Sequence, residues 1–224
     1  MASGKSINKS HYLTKEGGNR GIFISAFFIF LLAVFYSCGH KKQIIPFDTP
    51  EEWKLQSGDL VFREGPSLLS HTVTYADTAS VYSHVGMILW TAHGWQVLHA
   101  VPNERANRNE KDSVKLEPLE TFFRSDRASH GAVYRLAPPP SPDDTIQLLL
   151  KGQEIHQRHL LFDGAFNDSD SNAFYCTELV WFIYMKVLDI DLSQGRRHKE
   201  PLFPYMIFCS DILANPEIRA IYKF

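Results

Sequence analysis

The feature that most limits what this chain can fold into is an almost unbroken apolar run from Ile22 to Tyr36. Four basic residues and a single acid precede the run, and the small residue Ser37 follows it. A positively charged segment, a short apolar segment and a small residue before the cleavage point describe a secretory signal. The run is shorter than the roughly 20 apolar residues of a transmembrane helix. We therefore assign residues 1–37 to a signal peptide outside the folded domain.

The cysteine that follows this signal peptide makes its interpretation more specific. The segment Phe35-Tyr36-Ser37-Cys38 resembles a bacterial lipoprotein signal, in which the cysteine is lipidated and becomes the new N-terminus. An uncleaved signal anchor with an incidental cysteine is the alternative. The expectation is a lipoprotein of the bacterial cell envelope, anchored to the membrane through Cys38 and facing the periplasm.

The remaining 187 residues have the composition of an ordinary folded domain. The chain is 44% hydrophobic and 21% charged, which excludes intrinsic disorder. Without the signal peptide it has 19 basic and 24 acidic residues, a formal charge of −5, and no basic block suited to nucleic acid. Three cysteines cannot all pair, and their spacing matches no zinc finger or ribbon. We interpret residues 38–47 as a tether and 48–224 as one domain.

Short strand patterns and helical patterns alternate along this domain, which predicts an α+β fold. Two apolar runs around the turn Ala92-His93-Gly94 predict a β-hairpin. Residues 102–115 are polar and predict a loop, and the tail from Pro201 predicts coil with a short helix. The predicted strands are 60–62, 85–90, 95–101 and 132–136, and the predicted helices begin at Asp48 and cover 67–76, 119–124, 143–161 and 173–188.

Cys176 is the first candidate for chemistry, because it lies where a polar turn ends and a strongly apolar helix begins. The positive end of a helix dipole lowers the pKa of a thiol and favours the nucleophilic thiolate. The backbone amide of Cys176 could also donate to an oxyanion. The alternative is that Cys176 is a small buried apolar residue, as free cysteines commonly are.

A thiolate nucleophile needs a base, and the base needs a partner that orients it. His84 opens the first strand of the predicted hairpin, and His99 lies on the second strand, opposite about residue 85. Two satisfied surface histidines are the alternative. A zinc site formed by both histidines and Cys176 has no supporting His-Glu-x-x-His or Cys-x-x-Cys spacing, so we assign no metal and no cofactor.

Three short segments, in this order, resemble the circularly permuted NlpC/P60 papain-like group of the YaeF/YiiX type. They are Gly58-Asp59-Leu60-Val61-Phe62, Ser83-His84-Val85-Gly86-Met87-Ile88 and Tyr175-Cys176-Thr177-Glu178-Leu179-Val180. In ordinary papain-like enzymes the cysteine precedes the histidine, whereas here it follows about 90 residues later, as in the permuted branch. The resemblance implies an antiparallel sheet with packed helices.

The resemblance also implies roles for individual residues. Cys176 would be the nucleophile, His84 the general base and then the acid, and His99 the third polar residue. Tyr175 would line the site or support the oxyanion, and Asp59 would either support the site or cap a turn. Cys209 is expected to be a free core residue. Glu178 is expected to form a surface or cap contact.

The activity that this resemblance implies is hydrolysis of amide bonds in peptides or cell-wall peptides, through a thioacyl-enzyme. Related permuted members act on acyl chains, so a lipid thioesterase or acyltransferase with the same residues is an alternative. A lipoprotein binding module without turnover is another. A cleft of small polar and acidic groups would favour peptides, and an apolar channel formed by Phe174, Trp181 and Phe203 would favour lipids.

Overall fold

The computed structural model describes residues 44–104, 109–166, 172–199 and 205–224. The predicted signal peptide, Cys38, the first part of the tether and Phe203 lie outside these residues. The strands are β1 (Leu60–Glu64), β2 (His84–Thr91), β3 (Gly94–Ala100), β4 (Val114–Pro118), β5 (His130–Leu136), β6 (Leu161–Phe162), β7 (Ala173–Phe174) and β8 (Ile218–Lys223). The helices are α1 (Leu68–Ala76), α2 (Leu119–Phe122), α3 (Pro142–Gln157), α4 (Cys176–Leu188) and α5 (Cys209–Leu213).

Six of the strands form one antiparallel sheet in the order β4-β3-β2-β1-β5-β8, and β6 and β7 form a separate parallel pair. The predicted α+β class is therefore confirmed. In the part of the chain that the structure describes, no helix is both long and apolar enough to cross a bilayer.

The β2–β3 hairpin forms as predicted, with a register that differs by one residue. Met87 lies opposite Leu98, so the ladder continues to place His99 beside Gly86 rather than beside residue 85. Directly opposed residues share a face of the sheet, and so do residues two apart along a strand. His84 and His99 consequently share one face, whereas the predicted register would have placed them on opposite faces.

Each face of the sheet is covered by its own apolar cluster. On one face, α3 and α4 pack over side chains that include Met87, Leu89 and Leu98, all fully buried. On the other face, Phe122 of α2 packs with Val61 and other buried side chains. Both imidazoles lie on the Phe122 face, because that ring is 5.6 Å from the His84 ring and 5.2 Å from the His99 ring.

Helix α4 begins at Cys176, three residues later than predicted, because Ala173 and Phe174 pair with β6. Glu178 stabilises this start, since its Oε2 accepts the Tyr175 backbone N–H at 3.3 Å. The predicted cap contact of Glu178 is therefore confirmed, although its side chain is buried rather than on the surface. The helix is buried along Leu179, Val180, Ile183 and Tyr184, as its apolar sequence predicts.

The segment before β1 differs from the prediction. No helix begins at Asp48: the Trp53 N–H donates to the Pro50 carbonyl in a turn, and the chain then continues without regular structure to β1. Phe47 and Trp53 instead pack with Phe224 at centroid distances of 4.8 and 5.9 Å. Ile45 bonds to Ser125, so residues 44–47 of the predicted tether are in contact with the domain.

Two further segments were predicted without strands and contain them. The segment predicted as the 102–115 loop passes into β4 at Val114, and the tail includes β8, which pairs with β5 at the sheet edge. In both segments the apolar residues that indicate a strand are few and are interrupted by charged residues. The alternation of apolar and polar residues expected of a strand with one exposed face is therefore hard to recognise.

Candidate active site

Three side chains on successive strands form a continuous hydrogen-bonded line. Nε2 of His84 on β2 lies 2.8 Å from Nδ1 of His99 on β3, and Nε2 of His99 lies 3.0 Å from Oε1 of Glu117 on β4. His99 is fully buried and His84 is 6% exposed. The expectation that one imidazole orients the other is thus met by direct contact, and Glu117 extends the line by one residue.

The carboxylate at the end of the line determines which ring nitrogens carry protons. Ionised Glu117 only accepts hydrogen bonds, so Nε2 of His99 must donate to it. Nδ1 of a neutral His99 is then an acceptor, and Nε2 of His84 must donate to it. A neutral His84 consequently has an unprotonated Nδ1, the nitrogen that can take a proton from a nucleophile.

The electrostatics of the site agree with these proton positions. Burial of Glu117 alone would raise its pKa, but the His99 hydrogen bond and the charges of Lys115 and Arg127 hold the pKa well below its usual value. Burial lowers the pKa of His99 despite Glu117. Burial, followed by the charge of Arg63, lowers the pKa of His84 well below its ordinary value. Both shifts favour the neutral imidazoles that these proton positions require.

Cys176 borders the same cavity as His84 and is partly buried at the first position of α4. Burial raises the pKa of its thiol, while backbone N–H groups of Val85, Thr177 and Cys176 itself, and the charge of Arg63, oppose that rise. The predicted lowering of this pKa is therefore wrong, because desolvation outweighs the helix terminus. The shifts favour the neutral forms of both the thiol and the imidazole.

Cys176 and His84 border one cavity, and their side chains are not hydrogen-bonded to each other. Among the described residues no hydrogen bond joins Cys176 to the His84 ring, and the backbone of Val85, the next residue after His84, interacts with the thiol. Catalytic hydrogen bonds are often long in the absence of substrate and shorten in the complex.

The cavity beside Cys176 has a volume of about 470 Å³, within the usual range for small-molecule sites. One part of its wall is apolar and the other part is charged. Much of the apolar part comes from α1, β6 and the segment after β6, and includes Leu68, Leu69, Val73, Phe162 and Phe166. The charged part consists of Arg63, Glu104, Arg124, Asp126 and Arg127.

Two of the predicted site residues are not brought to this cavity. Asp59 precedes β1 at the end away from Arg63, about 13 Å along the strand. It is 1% exposed, bonds to Arg135 at 2.6 and 2.7 Å, and accepts the Gln56 N–H at 2.8 Å. The structure thus places Asp59 outside the cavity, with the backbone contact of a turn cap, which was the alternative to its assignment to substrate or oxyanion support.

Tyr175 is fully buried beneath the start of α4, where its hydroxyl accepts the Ile207 N–H at 3.0 Å. This hydrogen bond joins the start of α4, next to Cys176, to the backbone of Ile207. Cys209 is a free thiol, 1% exposed, as predicted for a core residue. Phe174 and Trp181, predicted for an apolar channel, lie elsewhere: Phe174 packs on Phe182 in the core, and the Trp181 indole donates to Asp191.

Two functional candidates were missed by the sequence analysis, Glu117 and Arg63. The alternation Val114-Lys115-Leu116-Glu117 is a strand signal that was available for β4, although alternation does not show which strand it pairs with. Arg63 directly follows the Gly58–Phe62 segment, and its charge at the end of an apolar strand was the available signal.

Comparison with known proteins identifies the family. Residues 54–211 match the model of a family described as "Permuted papain-like amidase enzyme, YaeF/YiiX, C92 family". The chain belongs to this family. The permuted papain-like family was the one that the three sequence segments indicated, and the antiparallel sheet with packed helices is its fold.

A curated relative and a solved structure agree with membership of the YaeF/YiiX family. The uncharacterized protein YiiX of Escherichia coli strain K12 is 27% identical over 150 residues, which are 66% of each chain and so just under two thirds of YiiX. A crystal structure described as metalloprotein YiiX from Escherichia coli O157:H7 superposes with a TM-score of 0.63 and 22% identity. That match covers 77% of this chain and 99% of the other, and supports the fold.

Proposed function

We propose that this chain is a cysteine hydrolase that cleaves amide bonds through a thioacyl-enzyme, with Cys176 as nucleophile and His84 as base. The observation that carries the proposal is the hydrogen-bonded line from Glu117 through His99 to His84, a residue that borders the same cavity as Cys176. Such a nucleophile, base and orienting acid are the parts that nucleophilic acyl transfer requires.

The proposed reaction begins with a neutral pair. Nδ1 of His84 takes the proton of the Cys176 thiol as the sulfur attacks the substrate carbonyl carbon. The backbone N–H at the start of α4 donates to the oxyanion. The imidazolium then protonates the leaving nitrogen, the C–N bond breaks, and a thioester remains. His84 next removes a proton from water, which attacks the thioester and releases the acid and the thiol.

The test compares two matched cysteine variants on a panel of fluorogenic peptidyl and N-acyl aminocoumarin amides. Cys176→Ala should lower kcat/KM on any amide that the wild type cleaves by at least about a thousandfold. Cys209→Ala removes a thiol of the core and should retain activity per folded molecule. Hydrolysis that persists in Cys176→Ala would refute the proposal, and a wild type that binds but never cleaves these compounds would favour a binding module.

The proposed substrates are peptides or cell-wall peptides, and the apolar wall of the cavity favours a second candidate. Leu68, Leu69 and Val73 of α1 face the same cavity as the thiol, so an acyl chain could bind there with its carbonyl at Cys176. The enzyme would then be a thioesterase or acyltransferase with the same residues. The relative kcat/KM of acyl thioesters and peptidyl amides distinguishes the two, and Leu69→Asp should impair only the acyl substrates.

A metal centre has less support, although the description of the YiiX structure includes the word metalloprotein. His84 and His99 use two of their ring nitrogens on each other at 2.8 Å, and Glu117 occupies a third. Within the described ranges, His, Cys, Asp and Glu side chains form no group of three that could hold a metal ion. These residues do not fit a metal, and no step of the reaction is assigned to one.

We also propose that the protein is a bacterial lipoprotein, anchored through Cys38 and facing the periplasm. The support is the leader sequence, with its basic start, short apolar run and Ser37-Cys38 junction. Expression of the full chain in bacteria followed by membrane fractionation tests the proposal. Cys38→Ser should move the protein from the detergent-extracted to the soluble fraction, and Cys209→Ser should not. A Cys38→Ser protein that still requires detergent contradicts lipid anchoring.

A further inference from the structure

Arg63 is the most unusual charged residue near the site. It is the fourth residue of the five-residue strand β1 and lies directly opposite His84, and its side chain is only 2% exposed. Lysine and arginine are rarely buried without a partner, because desolvation of a charge is costly. We therefore expect an arginine that is buried beside the proposed active site to contribute to that site.

The guanidinium fixes one aromatic side chain by two contacts. Nη1 of Arg63 donates to the Phe122 carbonyl at 2.7 Å, and its Cζ lies 4.5 Å from the centre of the Phe122 ring. The same ring packs against His84 and His99 at 5.6 and 5.2 Å. Arg63 thus holds the surface that supports both imidazoles.

The charge of Arg63 is only partly offset by its surroundings. Nη2 forms an ion pair with Glu104, which also contacts Arg127 at 3.1 Å and Lys115 at 3.7 Å. Nε of Arg63 has no hydrogen-bond partner among the described residues. Three cations therefore share the carboxylates Glu104 and Glu117, and a net positive charge remains beside the site.

We infer that Arg63 is a positioning residue that fixes Phe122 against both imidazoles and places a permanent positive charge beside the thiol and His84. The assignment of a catalytic consequence rests on the proposed function, although the electrostatic part does not. A positive charge favours the thiolate over the thiol and the neutral over the protonated imidazole. The first effect helps the proton to leave sulfur. The second keeps His84 unprotonated and so available as a base, and it makes the imidazolium that forms in the reaction a stronger acid toward the leaving nitrogen.

The charge of Arg63 acts on the two reacting groups in these directions. Burial raises the pKa of the Cys176 thiol, and Arg63 opposes that rise. Burial lowers the pKa of His84, and Arg63 lowers it further. Among the described residues, the other titratable or charged groups around this pair are His99 on β3, Lys115 and Glu117 on β4, Cys209 on α5, Glu104 and Arg127 behind Arg63, and Arg124 and Asp126 on the cavity wall.

The experiment is the pH–rate profile of iodoacetamide alkylation at Cys176 in the full chain, followed by peptide mass spectrometry. Arg63→Met keeps the bulk of the side chain and removes its charge, so alkylation at pH 7.5 should be roughly three- to tenfold slower. Arg63→Lys keeps the charge and should stay within about twofold of the wild type. Arg219→Met, on exposed β8, is the matched control and should leave the profile unchanged.

The inference is overturned if folded Arg63→Met alkylates with the wild-type profile, or if Arg63→Lys is as slow as Arg63→Met. Should Arg63→Met fail to fold, Glu104→Gln decides: loss of this counter-charge should speed alkylation at pH 7.5, and a slower or unchanged rate would contradict the inference. Alkylation needs no turnover, so this result is independent of the hydrolysis test with Cys176→Ala, which alone decides the proposed function.

Discussion

Nε2 of His99 lies 3.0 Å from the carboxylate of Glu117, and Arg127 holds the two oxygens of that carboxylate at 3.0 and 2.7 Å. The carboxylate is thereby kept in place and ionised. Its effect passes through His99 to the far nitrogen of His84, because each ring must donate toward the carboxylate.

The first prediction concerns this carboxylate. Glu117→Gln retains the shape of the side chain but removes the charge that selects the proton positions of both rings. We expect kcat on a cleaved amide to fall by about 10- to 100-fold, with a smaller change in KM. Histidine ring ¹⁵N NMR should show His99 losing its single tautomer. Glu120→Gln, on an exposed position of α2, serves as control. An unchanged kcat together with an unchanged His99 tautomer would show that Glu117 has no role in the site.

The second prediction concerns stability in acid. Because the pKa of Glu117 is lower in the folded than in the unfolded chain, the carboxylate stabilises the fold above the ordinary glutamate pKa. That stabilisation should be lost as the pH falls below about 4.5. Denaturant unfolding from pH 7 to pH 3 measures it, and Glu117→Gln should flatten the dependence. A variant that loses stability as steeply as the wild type would disprove the assignment.

The third prediction separates this site from one with a preformed thiolate–imidazolium pair. Burial raises the pKa of Cys176 and of Cys209, the latter well above its usual value. Alkylation of Cys176 should therefore rise steadily between pH 7 and pH 10, without a plateau in acid. Cys209 should react at least about tenfold more slowly throughout, because it is buried. A rate that is already maximal at pH 5 would show an ion pair instead.

The fourth prediction tests the contact between the two histidine strands. A Cβ at Gly86 would lie 2.5 Å from Val97 Cγ1, 3.0 Å from the Leu98 carbonyl oxygen and 3.1 Å from His99 Cβ. Gly86→Ala should therefore lower the free energy of unfolding by about 1–3 kcal/mol and displace His99. Gly164→Ala has open space around it and should be nearly neutral. Equal stability of both variants would contradict the packing described for this hairpin.

The fifth prediction concerns Asp59, whose place in the structure is the end of β1 away from the cavity. Asp59→Asn weakens the buried pair with Arg135 and should cost roughly 1–3 kcal/mol of unfolding free energy. Its kcat per folded molecule should remain close to that of the wild type. A large loss of kcat in an Asp59→Asn variant of normal stability would show that Asp59 does contribute to the active site.

The places of the candidate residues Cys176, His84 and His99 could be predicted from the sequence because each lies at the start of a helix or on a strand of a local hairpin. Cys176 marks the start of an apolar helix, and His84 and His99 lie on the two arms of one local hairpin. Local pairing through a short turn can be inferred along the chain, with an error of one residue in register. That error decides on which face His99 lies, so the contact itself required the structure.

Glu117 and Arg63 could not be predicted in the same way. Their positions depend on the strand order β4-β3-β2-β1, which brings together strands separated by loops of variable length. Burial of Cys176 likewise depends on packing between α4, β2 and the segment around Ile207. A helix terminus predicts an activated thiol, and only the surroundings show that desolvation dominates. The helix predicted to begin at Asp48 does not form, because Phe47 and Trp53 pack on each other instead.

The aromatic contact between Phe47 and Phe224 has a consequence for how such a fold can be encoded. Residues far apart in the sequence meet there at 4.8 Å, beside the bond between Phe224 and Gly131. A short linker between these residues would close the chain at little entropic cost. If the chain closed in this way were cut at another surface loop, every strand pairing would be kept. The same fold can thus be formed by two orders of its segments along the chain, one with the cysteine before the histidine and one with the cysteine after it.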